Sequence, residues 1–297
     1  MRELVFIHGR SQQHRDASAL KQAWIDAWAA GLRQHGLTVP IPASAIHFPY
    51  YGDTLDQLVQ GASGDEAAAV VVRGSNLDEN GKRFVQELLR EIAGGAGLTD
   101  AQVAAAAPAD VREKGPLNWG WVRALATAID RYVPGGSGSS VALFTNDVYQ
   151  YLSAPGIRDA IDTGVRGAFR PGVPTVVVGH SLGTIVAYNV LRRDGDSWDV
   201  PQLVTVGSPL AVSIIKKQLT PIRYPRCVKA WFNAMDPRDI VALYPLDNDH
   251  FHLNPEIKNK TSVANETPNR HGIEGYLSDA DVACCIYDAL TVGSPAG

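Results

Sequence analysis

Short apolar runs rich in β-branched residues alternate with stretches whose apolar residues recur every three or four positions. The runs are Leu4–Ile7, Ala45–Phe48, Thr175–Val178, Leu203–Val206 and Val228–Phe232. None shows clean polar alternation, as expected of strands covered on both faces of a parallel sheet. Helices are predicted at Leu20–Leu32, Gly81–Ala93, Trp119–Tyr132, Asp147–Ala168, Thr184–Arg193 and Asp279–Leu290. In the first of these, Leu20, Trp24, Trp28 and Leu32 form one stripe, so the tryptophans read as core. Strands alternating with helices imply right-handed βαβ units and a doubly wound α/β sheet.

One region breaks this rhythm. No buried strand is evident between Phe48 and Thr175; Val70–Val72 reads as strand or helix equally well. A long, mostly helical excursion is therefore expected, with a cap-like insertion at about residues 53–140 inside a single domain spanning 1–297. "PGGSGSS", Pro134 to Ser140, is its most flexible point and reads as a loop.

The 297 residues are 45% hydrophobic and 20% charged, enough to bury a sizeable core. A net charge of −4 with dispersed basic residues excludes a nucleic-acid footprint. No apolar run approaches the roughly 18 residues of a membrane span, and "MRELVFIHG" is already a strand rather than a signal peptide. Three cysteines, Cys227, Cys284 and Cys285, suit a reducing compartment better than a disulfide scaffold. The expectation is a soluble cytoplasmic protein.

The chemistry centres on Gly179-His180-Ser181-Leu182-Gly183, a G-x-S-x-G pattern with a predicted buried strand before it and a helix after it. A strand running directly into a helix strains the residue between them and lifts its side chain out. Glycines two positions either side remove clashes with the neighbouring strand and helix. The turn also sets Ser181 near a helix N-terminus, where free N–H groups favour negative charge.

"VVVGHSLGTIVAYNVL" resembles the nucleophile elbow of α/β-hydrolases, in particular the lipase-like branch with Gly-His-Ser-Leu-Gly. The resemblance implies the α/β-hydrolase fold: a mostly parallel central sheet with helices on both faces and a helical insertion, the part the likeness covers least. It implies a nucleophile, acid and base in that chain order. His271, in "PNRHGIEGYL" just before a terminal helix, is the expected base, ahead of His250 and His252. For the acid, "FNAMDPRDIV" offers Asp239, which fits the Asp-x-Val of many relatives and is favoured, and Asp236 as the alternative. Oxyanion donors are expected at the backbone N–H of Leu182 and, from the His8-Gly9 loop in "LVFIHGRS", of Arg10, with Ser11 in reserve. That loop follows the first recognisable strand, so the antiparallel edge strands of many relatives are expected to be missing. His8 is expected to shape the loop rather than act as base.

Tyr50 and Tyr51 in "FPYYGDTLD", together with His8, Gly9 and Ser208 of "GSPL", are candidate pocket residues. "LFTNDVYQYL" resembles a segment of bacterial lipase-like hydrolases. "DNDHFHL" sets His250 and His252 near Asp247 and Asp249, but a loop is expected there rather than a metal site, and triad chemistry needs no cofactor. The implied activity is hydrolysis of carboxylic or lipid esters through an acyl-enzyme on Ser181, with a small-molecule ester or acyl compound as partner. The mildly apolar insertion favours soluble esters over aggregated lipid. A thioesterase, amidase or acyltransferase with the same residues, or a partner-regulated hydrolase-fold protein with little free activity, are the alternatives.

Overall fold

The computed structural model describes residues 1–9, 16–51, 77–113 and 119–291. Val70–Val72, residues 52–56 and the N–H groups of Arg10 and Ser11 lie outside the described residues. Six strands, β1 (Glu3–Ile7), β2 (Ile46–His47), β3 (Thr175–His180), β4 (Leu203–Val206), β5 (Trp231–Ala234) and β6 (Lys258–Lys260), form one sheet in the order β2-β1-β3-β4-β5-β6. Every pairing is parallel, so the sheet has no antiparallel strand among the described residues.

Alternate side chains leave each strand in opposite directions. Val5, Ile7, Val177, Leu203 and Trp231 enter one apolar core; Leu4, Phe6, Val176, Val178, Val204 and Phe232 enter the other. The second is closed by α1 (Ala17–Arg33), with the Trp24, Trp28 and Leu32 stripe facing inward, and by two C-terminal helices. The Trp28 indole N–H reaches the Ala283 carbonyl at 3.1 Å, tying the first helix to the last.

The other face is covered by α2 (Glu79–Gly95), α3 (Asp100–Ala106), α4 (Ala109–Glu113), α5 (Gly120–Tyr132), α6 (Gly138–Ser153), α7 (Pro155–Arg166), α8 (Leu182–Asp194) and α9 (Ser213–Leu219). Described residues of the insertion, including Phe84, Leu88, Val122 and Ile129, share one continuous core with this face of the sheet. No strand occurs between Phe48 and Thr175 among the described residues.

Several elements differ from the sequence-based expectation. The helix expected at Asp147–Ala168 is two helices, because Pro155 lacks the N–H that would continue the first and starts the second instead. α6 also begins earlier, at Gly138, where the Ser137 hydroxyl accepts the Ser140 N–H at 3.2 Å; the loop expected over Pro134–Ser140 thus ends at Ser137. β5 lies three residues beyond the predicted start, with Val228 reduced to a lone bridge to Val200. The helix expected from Asp279 is preceded by a short α10 (Ile273–Leu277) before α11 (Ala280–Thr291).

The first two strands run outward to one side of β1 and the later ones to the other, so the order reverses between β1 and β3. Ligands of open parallel sheets gather at the carboxyl ends of strands at such a reversal. There β1 runs out into His8-Gly9 and β3 into Ser181.

Candidate active site

Ser181 sits between β3 and α8 with φ 56° and ψ −128°, a left-handed conformation uncommon for a residue with a side chain. The glycines around it are needed sterically. A Cβ on Gly183 would lie 2.1 Å from the Ile7 carbonyl oxygen, and one on Gly9 would lie 2.7 Å from Ser181 Cβ. The β1 backbone can therefore run directly along the serine. The turn is held by the Thr184 hydroxyl, which donates to the Ser181 carbonyl at 2.7 Å and pairs with Ser208 Oγ at 2.9 Å.

His271 comes from the loop before α10, and Asp239 from the loop after β5. His271 Nε2 lies 2.9 Å from Ser181 Oγ, and Nδ1 lies 2.7 Å from Asp239 Oδ2. A carboxylate only accepts, so the proton belongs on Nδ1 and leaves Nε2 as acceptor for the serine hydroxyl. Asp239 is buried, and its Oδ1 accepts the N–H groups of Val241 at 2.9 Å and Ala242 at 3.3 Å. Its Oδ2 also accepts the Tyr276 hydroxyl at 2.6 Å.

Asp236, the alternative acid, has a different task. It does not reach His271. Its carboxylate accepts from Arg238 N–H at 2.7 Å, Arg238 Nε at 3.0 Å and the Asn265 N–H at 2.7 Å, so it ties the acid turn to the histidine loop. Burial alone would raise this carboxyl, but the Arg238 guanidinium and the backbone donors hold it below the ordinary carboxylate range.

His8 is buried and stacks on Tyr51, ring centroids 4.0 Å apart. Its Nε2 accepts the Tyr51 N–H at 3.2 Å, which puts the ring proton on Nδ1, 2.7 Å from the Gly9 carbonyl. Burial lowers its pKa to about 4 against that hydrogen bond, so the ring is neutral and fixes the Gly9 peptide beside Ser181.

Neither Protein-family models nor curated proteins give any match to this chain.

A chamber of about 100 Å³ opens beside Ser181, His180 and His271. Its described walls come from Gly135, Ser137, Val141 and Phe144 on one side and from Ile240, Val241 and Asn269 on the other. Of the insertion's described residues, the loop before α6 and the first turn of that helix therefore reach the site. Tyr50, Tyr51 and Ser208 are not among the described lining: the tyrosines pack around His8, and Ser208 braces the serine turn from below. His250 and Asp247 pair with each other at 2.7 Å, and the described residues hold no group of three or more candidate metal ligands. No helix among the described residues is long and apolar enough to cross a membrane.

Sequence reasoning missed the supports of His271. His180 donates from Nε2 to the His271 carbonyl at 2.8 Å; burial and the neighbouring His271 keep its pKa well below the ordinary value. Asn269 Oδ1 accepts the His271 N–H at 3.2 Å, and Asn265 Nδ2 donates to the Gly272 carbonyl at 2.8 Å. Tyr276 was visible only as part of "HGIEGYL"; nothing local in that stretch points to a carboxylate from another loop.

Proposed function

We propose that this chain is a serine hydrolase of the α/β-hydrolase fold, cleaving carboxylic esters through an acyl-enzyme. The observation that carries the reading is the continuous line Ser181 Oγ, His271 Nε2, His271 Nδ1, Asp239 Oδ2, with links of 2.9 and 2.7 Å, beginning at a strained strand-to-helix turn. A serine hydroxyl becomes nucleophilic when a neighbouring base removes its proton, and that base works when a third group fixes its tautomer.

In this mechanism Ser181 Oγ attacks the ester carbonyl carbon while its proton passes to His271 Nε2. Asp239 stabilises the resulting imidazolium. The Leu182 N–H, first in α8, faces the developing oxyanion, and Arg10 N–H remains the proposed second donor. His271 returns the proton to the departing alkoxide as the C–O bond breaks. It then deprotonates a water, which attacks the acyl-enzyme; as the C–Oγ bond breaks His271 gives that proton to Ser181 Oγ, releasing the carboxylic acid and the free serine.

Labelling with a fluorophosphonate, read by intact mass on the wild type and on Ser181→Ala, tests this. One adduct, lost in the variant, is expected. A folded wild type that takes no adduct would overturn the reading. A panel of matched ester, thioester and amide substrates then separates ester hydrolysis from the other acyl transfers.

A further inference from the structure

We propose that the chamber beside Ser181 is an acyl pocket for short, uncharged, apolar chains. The inference rests on the serine-hydrolase reading and names the substrate class for that site. Three observations carry it: the size of the chamber, the character of its walls, and the separation of nearby charge from it.

At about 100 Å³ the chamber is smaller than pockets that enclose drug-sized ligands. A dry cavity of about 150 Å³ holds benzene, so the chamber has room for about two to four carbons. Its apolar walls are Val141, Phe144, Ile240 and Val241, with Ser137, Ser140 and Asn269 as polar groups away from Ser181 and the two histidines. No Asp, Glu, Lys or Arg lies among its described lining residues.

Among the described residues, Arg238 and Arg270 line a separate cavity of about 370 Å³. The backbone of Gly135 packs against the Pro268 carbonyl and contributes to the walls of both cavities. Both arginines are already engaged, Arg238 with Asp236 at 2.8 Å and Arg270 with Glu266 at 3.2 Å. A carboxylate carried into the chamber would lose its hydration and meet no cationic side chain among the described walls. The acyl group is the part that stays attached to Ser181 after the alcohol departs, so the small chamber sets its limits while the alcohol leaves to solvent.

The test uses p-nitrophenyl acetate, butyrate and octanoate, with the mono-p-nitrophenyl ester of succinic acid as an anionic chain of butyrate length. kcat/KM is expected to rise about fourfold per CH₂ from acetyl to butyryl, then fall at least tenfold by octanoyl. The succinyl ester should be at least a hundredfold poorer than butyrate. Phe144→Ala should raise the octanoyl-to-butyryl ratio at least tenfold. Val141→Leu, a smaller perturbation of the same wall, should lower the butyryl-to-acetyl ratio. A flat or rising profile through octanoyl, or equal use of succinyl and butyryl esters, would overturn the proposal even where Ser181 labels stoichiometrically. Absence of both labelling and turnover would instead overturn the serine-hydrolase reading on which it rests.

Discussion

Replacing Asp239 by Asn separates the two aspartates of the loop after β5. The Val241 and Ala242 N–H groups both point at Oδ1, so the carboxamide oxygen must take that position. The amide NH₂ then occupies the place of Oδ2, 2.7 Å from His271 Nδ1 and 2.6 Å from the Tyr276 hydroxyl. Two N–H groups cannot face each other, so the imidazole moves its proton to Nε2 and accepts from the new amide through Nδ1. Nε2–H then faces Ser181 Oγ across 2.9 Å and can no longer receive the serine proton. In serine hydrolases of this geometry the same change costs on the order of 10⁴ in kcat, or about 5 kcal/mol of barrier at about 1.36 kcal/mol per tenfold. The assay is kcat/KM on p-nitrophenyl butyrate, with the fluorophosphonate labelling rate as a second readout and thermal unfolding as a check on folding. Asp236→Asn, which loosens the anchor of the histidine loop, is expected to cost tenfold or less. A folded Asp239→Asn within tenfold of wild type, with Asp236→Asn losing a thousandfold, would refute this account of the acid.

Three further outcomes follow from the same geometry. Tyr276→Phe removes one donor from Asp239 Oδ2, so the carboxylate that orients His271 is held less firmly and kcat should fall several-fold with KM little changed; an unchanged kcat in a folded variant would reduce the tyrosine to packing. Ser181→Gly should be more stable than Ser181→Ala by about 1 kcal/mol, against the usual order, because glycine relieves a left-handed strain of about 1–3 kcal/mol at the cost of a looser unfolded chain; urea unfolding of the two variants decides it. His8 is held at about pKa 4 when folded and titrates near 6.5 when exposed, so between those values the unfolded chain binds a proton that the folded one does not. Stability should therefore fall by about 3 kcal/mol as pH drops from 6.5 to 4, and His8→Gln should flatten that slope in urea unfolding at pH 7, 5.5 and 4.5.

Much of this architecture was legible in sequence because it is encoded locally. β-branched runs and a four-residue tryptophan stripe report burial on one or both faces of an element, whatever the rest of the chain does. Gly179 and Gly183 mark the sharp turn because a side chain there would strike the backbone beside it. The same locality explains the misreadings. β6 carries Lys-Asn-Lys, with no apolar signature, because it is an edge strand completed by pairing to β5. The break at Pro155 was hidden by apolar periodicity that continues through both helices.

Residue types and chain order nominated Ser181, His271 and two aspartates. Which carboxylate faces the imidazole depends on side-chain direction within a four-residue turn, and only the tertiary structure decided it, by giving Asp236 to Arg238 and Asn265 and Asp239 to His271. Tyr276 and His180 acquire their roles in the same way. Their partners lie 37 and 91 positions away, and no local pattern in a chain specifies a hydrogen bond made only when distant loops meet at the end of a sheet.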